Sequence, residues 1–176
     1  MSCRPVGRWC FGKLPAQGDF VWRGLDDYAL RDGIDRWLAA GLKAAQAAFP
    51  DFRDRYDHAP AWNFVDRDGD GRWSGGALCA SVDRVGRRYP MIMAAPAQDA
   101  AEAAALSGAC LDALAEALTA GWDAQSLHEA PLVPVALSWR PEASEWALLG
   151  EDGPPGYTVT ERYPKDVVSV MLELAS

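Results

Sequence analysis

The chain is poor in the residues that build catalytic and metal centres. It holds two histidines, His58 and His128, and four cysteines, Cys3, Cys10, Cys79 and Cys110, in 176 residues. No two cysteines form a C-x-x-C pair and neither histidine lies near one in sequence, so the close ligand spacing of a zinc site is missing. Free thiols are expected of a cytoplasmic chain, and Cys79 and Cys110 lie in apolar runs that suit core packing. Without G-x-S-x-G there is no nucleophile elbow for Ser74, Ser81, Ser107, Ser126 or Ser138. Gly69, Gly71, Gly75 and Gly76 form no G-x-x-x-x-G-K-[ST] run, and no such run leads into Gly12-Lys13, so a phosphate cradle is not expected. Residues Met1 to Cys10 carry Arg4, Pro5 and Arg8 where a secretion signal needs an apolar run, and no segment reads as a membrane span. Together these absences predict a cytoplasmic chain with no cofactor, no metal and no membrane insertion.

Basic charge is also scarce. The formal net charge is -8, which repels nucleic-acid phosphates and anionic lipid, so nucleic acid is excluded as a partner class. Hydrophobic residues make up 49% of the chain and charged ones 24%, which excludes disorder and supports a packed core. The length suits one domain over 1–176 that folds without disulfides or a structural metal, with a motif-bearing region at 8–96 and a helix and C-terminal extension at 97–176.

Short β-forming runs at Arg8 to Gly12 and Asp19 to Gly24 flank a loop containing Pro15 and Gly18. Ile34, Trp37, Leu38, Leu42, Ala45 and Phe49 then trace one helical face, with Asp26, Asp27 and Asp32 near its start and Pro50 closing it. Three apolar segments, Ala61 to Val65, Trp73 to Val82 and Tyr89 to Ala95, predict a meander; Pro90 argues for an edge position or a strand start. Asp99 with Glu102 resembles a capping box ahead of a second helix that Gly121 ends, after which a polar segment loops to Pro131. Val133 to Trp139 and Glu145 to Leu149 can extend the sheet, and Gly150 to Gly156 reads as a mobile connector. Pro164 to Leu174 fits either a helix or an alternating strand, and proline near the first position favours helix. The fold class is therefore α+β: an antiparallel sheet with helices packed on it, in the longin- or profilin-like order β-β-α-β-β-β-α plus C-terminal strands and a helix.

Four features compete for chemistry. Asp66, Asp68 and Asp70 with Gly71 match the first half of a calcium loop, but position twelve is Ala77, so a solvated turn is the expectation and a calcium-responsive module the weaker reading. His58 and His128 sit beside loops, where surface or cap roles outrank catalysis. Arg84, Arg87 and Arg88 crowd one hairpin tip, where they can clamp a partner's anion or simply pair with Asp83 and water. Of eight tryptophans, Trp37 and Trp62 read as core, whereas Trp22, Trp73 and Trp146 are candidate interface anchors.

Two stretches, Phe11-Gly12-Lys13-Leu14-Pro15-Ala16-Gln17-Gly18-Asp19-Phe20-Val21-Trp22-Arg23 and Ser81-Val82-Asp83-Arg84-Val85-Gly86-Arg87-Arg88-Tyr89-Pro90-Met91, resemble the N-terminal domain of the TagF (ImpM) family. Trp37-Leu38 and Pro60-Ala61-Trp62-Asn63-Phe64 fall where that family has related features; Asn63, in place of a frequent arginine, and the Asp-Gly-rich turn depart from it. The resemblance implies a cytoplasmic, non-enzymatic, post-translational repressor of type VI secretion linked to a forkhead-associated scaffold protein and a threonine kinase and phosphatase pathway. Some relatives carry a fused phosphatase domain, whose metal-binding aspartates this chain lacks. Within the matched stretches, Gly12, Pro15, Gly18, Gly86 and Pro90 are architectural candidates. Lys13, Asp19, Trp22, Arg23, Asp83, Arg84, Arg87 and Arg88 are candidate partner contacts. Asp19 equally suits a bond across the sheet to Arg84 or Arg87. A small hydrolase or phosphatase accessory built from Asp19, Asp83 and a histidine is the alternative function.

Overall fold

A computed structural model describes residues 7–149 and 155–175. Cys3, Arg4, Pro5 and most of the expected mobile connector, 150–154, lie outside the described residues. The first strands, β1 (Trp9–Gly12) and β2 (Val21–Arg23), form an antiparallel hairpin. Helix α1 (Tyr28–Ala48) follows, with Asp27 rather than Asp26 or Asp32 as its cap, accepting the Leu30 N–H. A short helix α2 (Phe52–Asp57), not expected from the sequence, precedes the meander β3 (Trp62–Arg67), β4 (Trp73–Cys79) and β5 (Met91–Ala97). Helix α3 (Ala100–Ala120) begins at Asp99, whose carboxylate accepts the Glu102 N–H, while Glu102 reaches back to the Gln98 N–H. Gly121 ends it with φ +69°.

The polar segment beyond contains a further short helix, α4 (Ala124–Glu129), capped by Asp123. Strands β6 (Glu145–Leu148) and β7 (Tyr157–Val159) and helix α5 (Val167–Glu173) complete the described elements, so the ambiguous tail is helical. All seven strands join one antiparallel sheet in the order β2-β1-β5-β4-β3-β6-β7.

Side-chain alternation along the strands builds a core on each face of this sheet. Phe11, Phe64, Leu78 and Ile92 point to the side covered by α1, α2 and α5. Their neighbours Cys10, Ala77, Cys79, Met91 and Met93 point to the side covered by α3 and α4. Burial pushes the Cys10 thiol up to about 11 and those of Cys79 and Cys110 up to about 12, so these three cysteines are packing residues that stay protonated. Helix α3 is long and apolar enough to cross a membrane by length and composition, contrary to the reading of the sequence. Half of that apolar stretch is buried in the protein, as expected for a core helix.

Two strand expectations fail for local reasons, and one of the two alternatives for Pro90 holds. The strand expected to run to Val82 stops at Cys79, because the Ser81 N–H goes to the Tyr56 hydroxyl and Pro90 opposite has no N–H to give. Pro90 therefore marks the start of β5, but β5 is a central strand and not an edge. Val133 to Trp139 is irregular: the Val135 N–H donates to the Ala105 carbonyl, which ties this segment across α3 instead of to the sheet. Trp139 is buried against Ala103 and Ala104.

Candidate functional site

The two stretches that carry the family resemblance, far apart in sequence, meet at one end of the sheet. Lys13, just beyond β1, places its ammonium 2.9 Å from the Asp83 carboxylate, and both side chains are buried. Asp83 Oδ1 accepts the N–H groups of Val85 and Arg87, and Oδ2 accepts Arg87 Nε at 2.6 Å. One carboxylate thus folds the hairpin tip around itself and ties it to the first strand pair. Arg87 also donates to the Gly18 carbonyl and lies 3.8 Å from the exposed Asp19. The Arg84 N–H donates to the Gln17 carbonyl, and the Ser81 hydroxyl donates to the Lys13 carbonyl.

Glycines fix the approach of these loops. Gly12 has φ +139°, and a Cβ there would lie 2.9 Å from Met91 Cα. Gly86 takes φ +86° at the tip, in open space. Gly18 is contacted by the Arg84 guanidinium, 3.3 Å from where a Cβ would stand. Pro15 faces an open cleft between α2 and the hairpin.

Burial opposes ionisation of Asp83, but the Lys13 ammonium, the two amides and the Arg87 guanidinium outweigh it and hold the carboxyl below the usual carboxylate range. A depressed folded pKa stabilises the protein above the unfolded value of about 3.9 and loses that contribution as pH falls through the folded value. Asp57, whose carboxyl is likewise lowered by Arg88, acts in the same direction. The melting temperature should therefore fall from about pH 5 toward pH 2, and Asp83→Asn should shallow that fall. Equal slopes for both proteins in melts across this range would show that the pair is not linked to folding.

Of the remaining candidates, Arg88 pairs bidentately with Asp57 of α2, at 2.8 and 2.6 Å. Arg23 donates to the Trp22 carbonyl and to Gln125 of α4. The Arg84 side chain is exposed, with no hydrogen bond or ion pair among the described residues. Trp22 is exposed and Trp73 half-buried, but the proposed anchor Trp146 is core. The core candidate Trp37 is only half-buried, whereas Trp62 is fully buried.

The Asp19, Asp83 and histidine grouping does not assemble. His58 Nδ1 bonds the Asp54 carbonyl and His128 Nε2 the Arg8 carbonyl, while Asp83 is fully engaged. The acidic turn is solvated only at its tip, where Asp70 is exposed. Asp68 is buried, accepts the Asp70 and Arg72 N–H groups and pairs with the Arg72 side chain; Asp66 is clamped by Arg162. No cluster among the described residues fits a metal ion. Asn63 is buried between β3 and α3, donating to Ser107 with its Oδ1 unpaired, so this departure from the family pattern is internal. Tyr56, which sequence reasoning passed over, supports the junction from below by donating to the Ser81 carbonyl and accepting the Ser81 N–H. Its signal was an aromatic residue just before the His58-Ala59-Pro60 loop, and that is too common to single out.

Fold and site together define an α+β domain whose motif residues are spent on holding two loops against each other. The chain matches the family described as TagF N-terminal domain, type VI secretion system-associated, over residues 9–131, and it belongs to that family. It is similar in fold to PA0076 from Pseudomonas aeruginosa PAO1, whose crystal structure superposes with a TM-score of 0.66 at 24% identity, covering 94% of this chain and 93% of that one. A search of curated proteins gives no match.

Proposed function

We propose that this chain is a cytoplasmic, non-catalytic regulator of type VI secretion that represses the system after translation by docking on a forkhead-associated scaffold protein. Support comes from one observation: the two family stretches converge on a junction whose buried carboxylate is saturated by Lys13, Arg87 and backbone amides. A saturated carboxylate is a poor general base and a good splint. What the splint presents to solvent is Arg84, Val85 and Asp19, which suits recognition of another surface.

Arg84→Glu tests the reading cleanly, because that side chain makes no hydrogen bond or ion pair among the described residues, whereas Arg87 also supports Asp83. In affinity capture from a lysate containing the cytoplasmic components of the secretion system, the variant should recover scaffold with roughly tenfold weaker affinity and an unchanged melt. Unaltered capture by folded Arg84→Glu removes this surface from the proposal. Failure of the parent protein to capture the scaffold removes the role.

A further inference from the structure

The open cleft between α2 and the 81–89 hairpin, about 640 Å³ in volume, takes no part in the splint at Asp83. That size lies within the range of about 300–1,000 Å³ in which proteins enclose small ligands. Its apolar lining comes from Pro15, Ala80, Val82 and Leu118. Tyr56 and Ser81 also line it, but their hydroxyls are committed: Tyr56 bonds the Ser81 backbone and Ser81 donates to the Lys13 carbonyl. What remains polar is Arg53 and Asp57 of α2 with Arg88 of the hairpin. Pro15, Val82, Gly86 and Arg88 belong to the two family stretches, and the cleft is where they meet without serving the Asp83 junction.

Two guanidinium groups line this cleft against one carboxylate. Arg88 gives Nε and Nη2 to Asp57, which leaves its Nη1 without a partner among the described residues. Arg53 is exposed and makes no hydrogen bond or ion pair among them. Asp57 feels both, Arg88 through its hydrogen bonds and Arg53 through space, so the two cations share one neighbourhood. The other acids of α2 are turned elsewhere: Asp51 holds Arg55, and Asp54, about 100° round the helix from Arg53, lies 3.7 Å from His58. On α3 the helical period turns Glu116 about 200° and Asp112 about 120° away from Leu118. On the hairpin side, Asp83 is saturated by Lys13 and Arg87, and Asp19 lies near Arg87. The lining therefore carries one positive charge in excess, on a chain of net charge -8.

We propose that this cleft captures the C-terminal residue of a partner protein, with its carboxylate on Arg53 and the free edge of Arg88 and an aliphatic side chain against Pro15, Ala80, Val82 and Leu118. A chain end meets both demands in one residue, because its carboxylate and its side chain leave the same Cα. A planar carboxylate matches the donor fork of a guanidinium, and Asp57 holds Arg88 in place before the ligand arrives, which lowers the ordering cost of binding. Capture of a terminal carboxylate is a recurrent mode of peptide recognition. The site is separate from the surface at Asp19, Arg84 and Val85 and does not depend on what docks there.

The probe is an N-terminally labelled hexapeptide of glycine and serine ending in valine and leucine with a free carboxylate, followed by fluorescence anisotropy against the whole chain. Its controls are the same peptide with a C-terminal amide and one ending in two glycines with a free carboxylate. Only the first should bind, its affinity should weaken as salt is raised, and Arg53→Gln should reduce it roughly tenfold. Lys43→Gln, an equal loss of charge at an exposed position of α1, should bind as the parent does. Arg53 is exposed and unpaired, so the melt of Arg53→Gln should match the parent's, which separates lost contact from lost fold. Equal binding of the acid and the amide, equal loss in both variants, or no binding of the free acid at millimolar concentration overturns the proposal. Competition by N-acetyl-leucine as strong as by the unlabelled peptide would also overturn it, in favour of a small carboxylic acid. If Arg84→Glu loses the peptide and Arg53→Gln keeps it, the chain end sits on the hairpin tip and the cleft proposal falls. If Arg84→Glu loses the scaffold while the parent never binds the peptide, the docking reading survives and this one falls.

Discussion

Gly75→Val should destabilise the protein by more than about 3 kcal/mol, enough to lower the melting temperature by roughly 10 °C in a domain of this size. Gly75 lies in β4 where α3 crosses, and a Cβ there would overlap the Ala103 carbonyl oxygen and stand 2.7 Å from Ala103 C and 3.0 Å from the Ser107 nitrogen. Those atoms belong to helix backbone, which cannot rotate away as a side chain can. Relief requires lifting α3 from the sheet and opening the core of Cys110, Ala113, Leu114 and Ala117 beneath it. The neighbouring Gly76 serves the opposite face, where an added Cβ would overlap the Phe64 ring and the Met93 carbonyl oxygen. Gly69→Val is the matched control, since nothing lies within 4 Å of its Cβ position. Thermal and urea unfolding of the two variants check the contrast, and a Gly75 variant as stable as the control would show that α3 does not depend on this close approach.

Trp146→Ala should cost about 3–5 kcal/mol, the usual range for deleting a large buried aromatic side chain. Trp146 is 2% exposed, stacks on Phe64 with centroids 4.4 Å apart, meets Trp37 and Trp62 edge-on, and donates its indole N–H to the Arg162 carbonyl. Its removal leaves the unmet Arg162 carbonyl and a void that rigid rings on three sides cannot close. Neither Gly75 nor Trp146 belongs to the proposed docking surface at Asp19, Arg84 and Val85. At temperatures where such variants remain folded, their capture of a partner should match the parent's, whereas Arg84→Glu should show the reverse pattern of intact stability and impaired capture.

The helices and the central meander were legible because their signals are local. The helical face from Ile34 to Phe49 and the Asp99 and Gly121 boundaries of α3 depend on residues within a few turns of each other. The short helices α2 and α4 were not legible, since six residues cannot show a period, and tertiary packing of Phe52, Tyr56, Ala124 and Leu127 decides them. Val133 to Trp139 looked like a strand because its apolar alternation is real, but what it packs on is the surface of α3. Trp146 next to a turn looked like an anchor, and only the sheet order, which puts β6 beside β3, buries it.

The chemistry divides in the same way. Sequence by itself determined that zinc spacing, a nucleophile elbow and a phosphate loop are missing, and that two stretches carry the TagF pattern, because these are properties of residue type and spacing. It could not decide whether Asp83 would meet Lys13 across 70 positions, or whether Arg84 or Arg87 would be the guanidinium left in solvent. The Lys13 contact depends on β1 pairing with β5, which swings the first loop beside the hairpin, and Arg87 then meets Asp83 within the hairpin and the Gly18 carbonyl across from it. Two arginines of one hairpin, three positions apart and equal in charge and motif, take opposite tasks because only one of them reaches both Asp83 and the first loop: Arg87 closes the splint, and Arg84 faces solvent.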